Sequence, residues 1–83
     1  MNIGDNVKWK NEYDETMSGF IVNVLSDMDS YDEMRLRDGV PLYYSKKLGK
    51  FVPVKPKNMD TVFLEVAKGK NVFNEFIRFS SVA

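Results

Sequence analysis

Cysteine and histidine are both absent from this chain of 83 residues. Without cysteine there is no disulfide framework and no thiolate nucleophile or metal ligand, and a reducing compartment is expected. Without histidine the commonest general base and a usual zinc ligand are missing as well. The sequence therefore predicts a protein that is not an enzyme and that uses no cofactor or metal.

An acidic segment has a spacing that invites a calcium interpretation, because Asp27 and Asp29 are followed by Asp32 and Glu33. The EF-hand pattern is not met. Tyr31 stands where a further oxygen ligand belongs, and Asp32 stands where the turn glycine belongs. A solvated loop is the preferred interpretation.

Long apolar runs are also lacking. None approaches the roughly 18 residues of a membrane span, and the first residues do not have the pattern of a signal peptide. We therefore expect no membrane partner and a cytoplasmic location. The length, with no internal repeat or linker, predicts a single domain over residues 1–83.

Helical periodicity is nearly absent, and alternation of apolar and polar residues takes its place. The expected strands cover residues 5–11, 17–25, 31–37, 40–44, 51–54, 61–66 and 76–82, with a turn or short helical piece at 72–75. Gly19 is expected at a bulge or sharp bend, and Pro41, Pro53 and Pro56 at sheet edges or strand ends. The predicted class is all-β, or mainly β, with five to seven short strands in a small barrel or strongly bent antiparallel sheet and at most one short helical turn near the C-terminus.

The opening segments carry a resemblance to a known family. Gly4-Asp5-x-Val7-x-Trp9, followed by Ser18-Gly19-Phe20-Ile21-Val22-x-Val24, resembles the first hairpin of SH3-like small barrels of the KOW and Tudor kind. The segment from Tyr31 to Leu36 resembles their third strand. The resemblance implies a domain that binds protein or nucleic acid. In style the chain is also similar to small phage accessory proteins that modulate or inhibit a host complex, which would place it in the host cytoplasm.

Charge is balanced overall but segregated along the chain, with twelve basic and twelve acidic residues. Residues 1–38 hold nine of the acids and four of the bases, and the remainder holds eight bases and three acids. Two oppositely charged surfaces are expected. The candidate protein-binding acids are Glu12, Asp14, Glu15, Asp27, Asp29 and Asp32.

The basic segment interleaves aromatic residues with lysines. Lysines neutralise phosphates while aromatic rings stack on bases, so this composition suits nucleic acid or an acidic partner. The candidate residues are Tyr43, Tyr44, Lys46, Lys47, Lys50, Lys55 and Lys57. The alternative is that the aromatics belong to the core and the lysines protect a hairpin edge from aggregation.

Trp9 alternates with Val7 and is expected in the core. In the alternative arrangement it lies at the rim with Tyr13 and Tyr43, forming an aromatic groove. Such a groove would use neighbouring acids, Glu12 among them, to hold a cationic or proline-rich peptide.

Three functions follow from these patterns. The preferred one is a non-enzymatic binding protein that docks on a larger protein or nucleoprotein complex and modulates it. The second is a nucleic-acid-binding barrel that uses the basic segment at residues 46–57. The third is a structural subunit of an assembly, with the proline-limited edges and the apolar C-terminal segment as its interface.

Overall fold

The computed structural model describes residues 1–69 and 73–82. Its strands are β1 (Asn6–Lys10), β2 (Thr16–Ser26), β3 (Met34–Arg37), β4 (Val40–Ser45), β5 (Lys50–Pro53), β6 (Val62–Ala67) and β7 (Glu75–Arg78). Two 3₁₀ turns cover Pro56–Thr61 and Phe79–Ser81. The predicted mainly β class with antiparallel pairing is confirmed. The 3₁₀ turn that begins at Pro56 was not expected, although a proline at the first position of a helical turn costs no hydrogen bond. In the described residues, neither helical turn has the length and apolar character to span a membrane.

The larger sheet has four strands in the order β1-β2-β6-β7. The first half of β2 pairs with β1 and its second half pairs with β6, and the two ladders overlap only at Phe20. Within the β2–β6 ladder the register shifts at Val22, where one extra residue bends the strand. Beyond β7, Val82 forms an antiparallel bridge with Trp9 of β1. After β7 the chain therefore returns to β1, the strand at the other edge of the larger sheet.

Gly19 does not form the bulge that the sequence predicts, since the register shift falls three residues later at Val22. Gly19 lies in the regular part of the ladder, opposite Val7. A Cβ at this position would lie 2.7 Å from the carbonyl oxygen of Ala67 and 3.3 Å from the Trp9 ring. Glycine is required here because another strand and an aromatic ring pass too close for a side chain.

The smaller sheet has three strands in the order β3-β4-β5. It is inserted between neighbouring points of the larger sheet, because Ser26 at the end of β2 pairs with Val62 at the start of β6. The Ser26 hydroxyl also lies 3.1 Å from that of Thr61. The expected third strand of the resemblance, Tyr31–Leu36, therefore does not join β2. Its strand β3 pairs with β4 instead, and β6 takes the place beside β2.

The β3–β4 hairpin is closed by Asp38 and Gly39, which have φ angles of 52° and 81°. Positive φ at both central residues is typical of the tight turn that matches the twist of a hairpin, as the Asp-Gly pair predicts. Pro41 lies in the central strand of its sheet but close to the strand's end, so of the two expected locations it has the strand end and not the sheet edge. It is tolerated because it is the second residue of β4, and its carbonyl accepts a bond from Val54 beyond the end of β5.

The C-terminal segment has its strand and its turn in the opposite order to the prediction. Residues 73 and 74 are not helical, β7 begins at Glu75, and the strand gives way to a 3₁₀ turn at Phe79. The physical reason is that the chain must turn after β7 to bring Val82 to Trp9. The expected turn residues Lys70 and Asn71, and Val72 of the expected helical piece, lie outside the described residues.

Both sheets contribute to one core. Its fully buried side chains include Ile21, Val62, Leu64 and Val66 from the larger sheet. Tyr31 and Val54, which flank the smaller sheet, belong to the same cluster. Burial of each aliphatic side chain stabilises the fold by about 1.5–3 kcal/mol. The inserted three-stranded sheet therefore packs against the larger sheet as part of the same domain.

Candidate binding surfaces

The six predicted acidic residues are divided between two loops. Glu12, Asp14 and Glu15 lie in the β1–β2 turn, whereas Asp27, Asp29 and Asp32 lie between β2 and β3. These loops are at opposite ends of β2, a strand of 11 residues. The structure therefore does not bring the two groups into one acidic surface. Among the described residues no three acidic side chains form a group able to hold a metal ion.

The β1–β2 turn is organised by Asn11. Its side-chain oxygen accepts hydrogen bonds from the backbone N–H groups of Tyr13 and Glu15, each at 2.9 Å. The backbone N–H of Asn11 donates to the carbonyl of Glu15 at 3.0 Å, and Asp14 adopts a φ of 61°. Side-chain capping of this kind is a common function of asparagine in turns. The turn holds the Tyr13 ring in solvent, 74% exposed.

A groove of about 480 Å³ lies between this turn and the β7 side of the larger sheet. We call it the Trp9 groove. Its apolar lining is Trp9, Met17 and Ile77, and Tyr13 stands at its rim. The polar lining residues are Lys10, Asn11, Glu12, Lys68, Glu75, Arg78 and Ser81.

Trp9 is 3% exposed, which confirms its expected place in the core. Its indole N–H is buried, and no described residue accepts a hydrogen bond from it. A buried donor without an acceptor costs about 1–3 kcal/mol. Tyr13 lines the same groove but Tyr43 does not, so the alternative arrangement of Trp9, Tyr13 and Tyr43 around one groove is not formed.

The rim of the Trp9 groove carries charges of both signs. Of the three acids in the β1–β2 turn, only Glu12 is part of the lining. Glu75 Oε2 is buried and lies 3.2 Å from Lys68 Nζ, a distance that makes an ion pair although the geometry is not that of a hydrogen bond. Lys10 and Arg78 add two further cations. The groove is therefore suited to a partner of mixed polarity and not to a purely cationic peptide.

The pleat of β4 places the two tyrosines of the predicted basic segment on opposite faces of the smaller sheet. Tyr43 turns inward, where its ring stacks on that of Tyr31 with centroids 4.1 Å apart. Tyr44 turns to the other face and is 36% exposed, packing edge-on against Phe51 at 5.4 Å. Of the two tyrosines proposed for base stacking, only Tyr44 is placed for it.

The five lysines of that segment are divided as well. Lys46 pairs with Asp32 at 2.9 Å. The hydrogen bond from Lys46 to that carboxylate, together with its charge, raises the pKa of Lys46 above its ordinary value. Lys47 lies in the β4–β5 turn and Lys50 at the start of β5, whereas Lys55 and Lys57 lie beyond the smaller sheet.

Two arginines of β3, which are not among the predicted basic residues, belong to this surface. Arg35 lies opposite Leu42 and Arg37 opposite Val40 in the hairpin register. The guanidinium of Arg35 lies 4.2 Å from the centre of the Phe51 ring. The signal was available in the sequence, because a two-residue turn at Asp38-Gly39 sets this register and places alternate residues of β3 and β4 on one face.

Comparison with known proteins found no matching family model, no similar curated protein and no similar solved structure.

Proposed function

We propose that this protein is a non-enzymatic docking domain that binds an extended segment of a partner protein in the Trp9 groove. The observation that carries the proposal is an exposed aromatic ring at the rim of a groove with an apolar floor. Tyr13 is held in solvent, and Trp9, Met17 and Ile77 line the groove beside it. An apolar or proline side chain of the partner segment packs against Tyr13, and the backbone of that segment lies over the apolar floor.

The lining of the groove supports a peptide more than a small cofactor. The groove has an apolar floor and a rim that carries cations and acids. Protein–protein interfaces likewise have an apolar centre surrounded by polar residues. Tyrosine and tryptophan are also the residues that most often dominate binding energy at protein interfaces. In this proposal the protein docks on a larger complex through this groove and modulates that complex by occupying one of its surfaces.

The strand arrangement supports the SH3-like part of the proposal. A four-stranded antiparallel meander is followed by a 3₁₀ turn and by Val82, which pairs with Trp9 of β1. We propose that the domain is a barrel of this kind with the three-stranded sheet inserted between its second and third strands. Such barrels present their binding residues on loops and on the faces of a rigid scaffold.

Site-specific photo-crosslinking tests the proposal. Tyr13 is replaced by p-benzoylphenylalanine, and the variant is irradiated in a lysate of the cells that naturally contain the protein. Leu48, which is 59% exposed in the β4–β5 turn, is replaced in the same way as a matched control. We expect one protein to be crosslinked from position 13 through a defined segment, and not from position 48.

Competition then connects the crosslink to the groove. Excess unlabelled protein should suppress it, and Tyr44→Ala should compete as well as the unaltered protein. Tyr13→Ala should need at least about tenfold more protein, because a buried interface tyrosine contributes about 2 kcal/mol or more. Equal crosslinking from both positions, or full competition by Tyr13→Ala, would contradict the proposal.

A further inference from the structure

The outer face of the three-stranded sheet has a composition that differs from the rest of the surface. Cross-strand neighbours share a face, and the observed register places Arg35 beside Leu42 and Tyr44 beside Phe51. Arg37 follows on the same face at the hairpin end. We call this surface the Arg35 face, formed by Arg35, Arg37, Leu42, Tyr44 and Phe51.

The centre of the Arg35 face is a cluster of one guanidinium and two aromatic rings. Arg35 lies 3.2 Å from Glu33, which holds its guanidinium over the Phe51 ring at 4.2 Å. Tyr44 meets the same ring edge-on at 5.4 Å. The guanidinium over the Phe51 ring and the partly exposed Tyr44 ring, which is inclined at 69° to Phe51, make a stacking platform of two surfaces set at an angle.

The charges around this platform are mostly positive. Arg37, Lys47 and Lys50 make no ion pair with any residue in the described ranges 1–69 and 73–82. Lys46 and Arg35, by contrast, are paired with Asp32 and Glu33. A depression of about 410 Å³ separates the two arginines, with Leu42, Phe51, Asp38 and Asn2 among its lining residues.

We propose that the Arg35 face binds single-stranded nucleic acid. Unpaired bases offer the π faces that Tyr44 and the Arg35–Phe51 stack can contact, whereas paired bases are covered by their neighbours. Arg37 lies on the same face and Lys47 in the adjacent β4–β5 turn, where, together with the guanidinium of Arg35, they neutralise the phosphates that flank a stacked base. An acidic peptide could use these cations but has no use for the stacking platform.

This site differs from the predicted basic segment at residues 46–57. It includes Arg35, Arg37 and Phe51, and it leaves out Lys55 and Lys57, which lie beyond β5. It also shares no lining residue with the Trp9 groove. The two surfaces can therefore be tested separately, and failure of one does not decide the other.

Fluorescence anisotropy with a labelled 12-nucleotide single strand of mixed sequence tests the proposal, with the same strand in a duplex and an acidic peptide as comparisons. We expect the single strand to bind more tightly than either. Its affinity should fall about tenfold or more between 50 and 200 mM salt, as release of counterions from about three phosphates requires. Absence of binding, or equal binding of the duplex, would overturn the proposal, and preference for the acidic peptide would replace it.

Variants locate the site. Tyr44→Ala should weaken binding by about 5- to 150-fold, whereas Tyr44→Phe, which keeps the ring, should retain it. Arg37→Gln, on an exposed side chain, should weaken binding and reduce its salt dependence by about one phosphate. Tyr13→Ala and the double variant Lys55→Glu/Lys57→Glu are the matched controls and should bind like the unaltered protein.

Folding of each variant is checked by its thermal midpoint, and Arg37→Gln keeps the test decisive if Tyr44→Ala fails to fold. Loss of binding in the Lys55→Glu/Lys57→Glu control, with none in Arg37→Gln, would assign the interface to the residues after β5 and contradict the Arg35 face.

Discussion

Single residues in this domain have effects that depend on what lies opposite them. Gly19 is the clearest case, because its backbone is an ordinary part of the β1–β2 ladder. What excludes a side chain is the carbonyl of Ala67, which approaches from the neighbouring strand. Tyr43 and Tyr44 are a second case. They are adjacent in sequence, yet Tyr43 stacks on Tyr31 in the interior whereas Tyr44 is partly exposed to solvent.

Gly19→Ala is therefore expected to destabilise the protein by about 1–3 kcal/mol, because the added Cβ would lie 2.7 Å from a backbone oxygen that cannot move freely. Urea unfolding measured by Trp9 fluorescence provides the free energy of unfolding. Ser18→Ala, on the exposed side of the same strand, is the control and should have little effect. Equal stability of the two variants would show that β6 can move away from β2.

Some turns and strands are determined by their own residues, and others by the segments that they pack against. Asp38 and Gly39 form their hairpin turn through backbone conformation alone, with positive φ at both positions. The 3₁₀ turn at Phe79–Ser81 has a different origin, since it carries the chain from β7 to the bridge between Val82 and Trp9. Alternation of residue types predicted a strand there, because it cannot report where the next partner lies.

The Asp38 position provides a test at the element scale. Asp38→Asn should leave stability almost unchanged, since asparagine tolerates the left-handed conformation. Asp38→Val should cost about 1–2 kcal/mol, because a β-branched side chain is strained at a φ of 52°. Amide hydrogen exchange at Arg37 and Leu42 would measure the effect on the hairpin itself. If valine is tolerated as well as asparagine, the turn is not held in this conformation.

At the scale of the whole molecule, the inserted sheet and the larger sheet share one core. Tyr31 and Val54 belong to the same buried cluster as Ile21 and Leu64. The Tyr31 hydroxyl accepts a hydrogen bond from Asn58 at 2.9 Å, which fastens the 3₁₀ turn before β6 to the loop before β3. A small domain with one core is expected to unfold in a single cooperative transition.

Val54→Ala tests this cooperativity. Removing two buried methyl groups should cost about 1–3 kcal/mol. The loss should appear equally in Trp9 fluorescence, which reports on the larger sheet, and in far-UV circular dichroism, which reports on both sheets. An unchanged fluorescence midpoint with a lowered dichroism midpoint would mean that the smaller sheet unfolds by itself.

The sequence by itself determined the mainly β class, the approximate position of every strand from β1 to β6, the tight hairpin at Asp38-Gly39 and the burial of Trp9. These features depend on neighbours in sequence: side-chain alternation, turn residues and apolar character. Tertiary structure alone decided that β2 pairs with β6 across an inserted sheet, that Gly19 lies under Ala67, and that the chain turns before Val82. It also divided the acidic residues between the two ends of β2 and brought Arg35 over Phe51. Such contacts join residues far apart in sequence, and no local pattern carries the register or the packing that creates them.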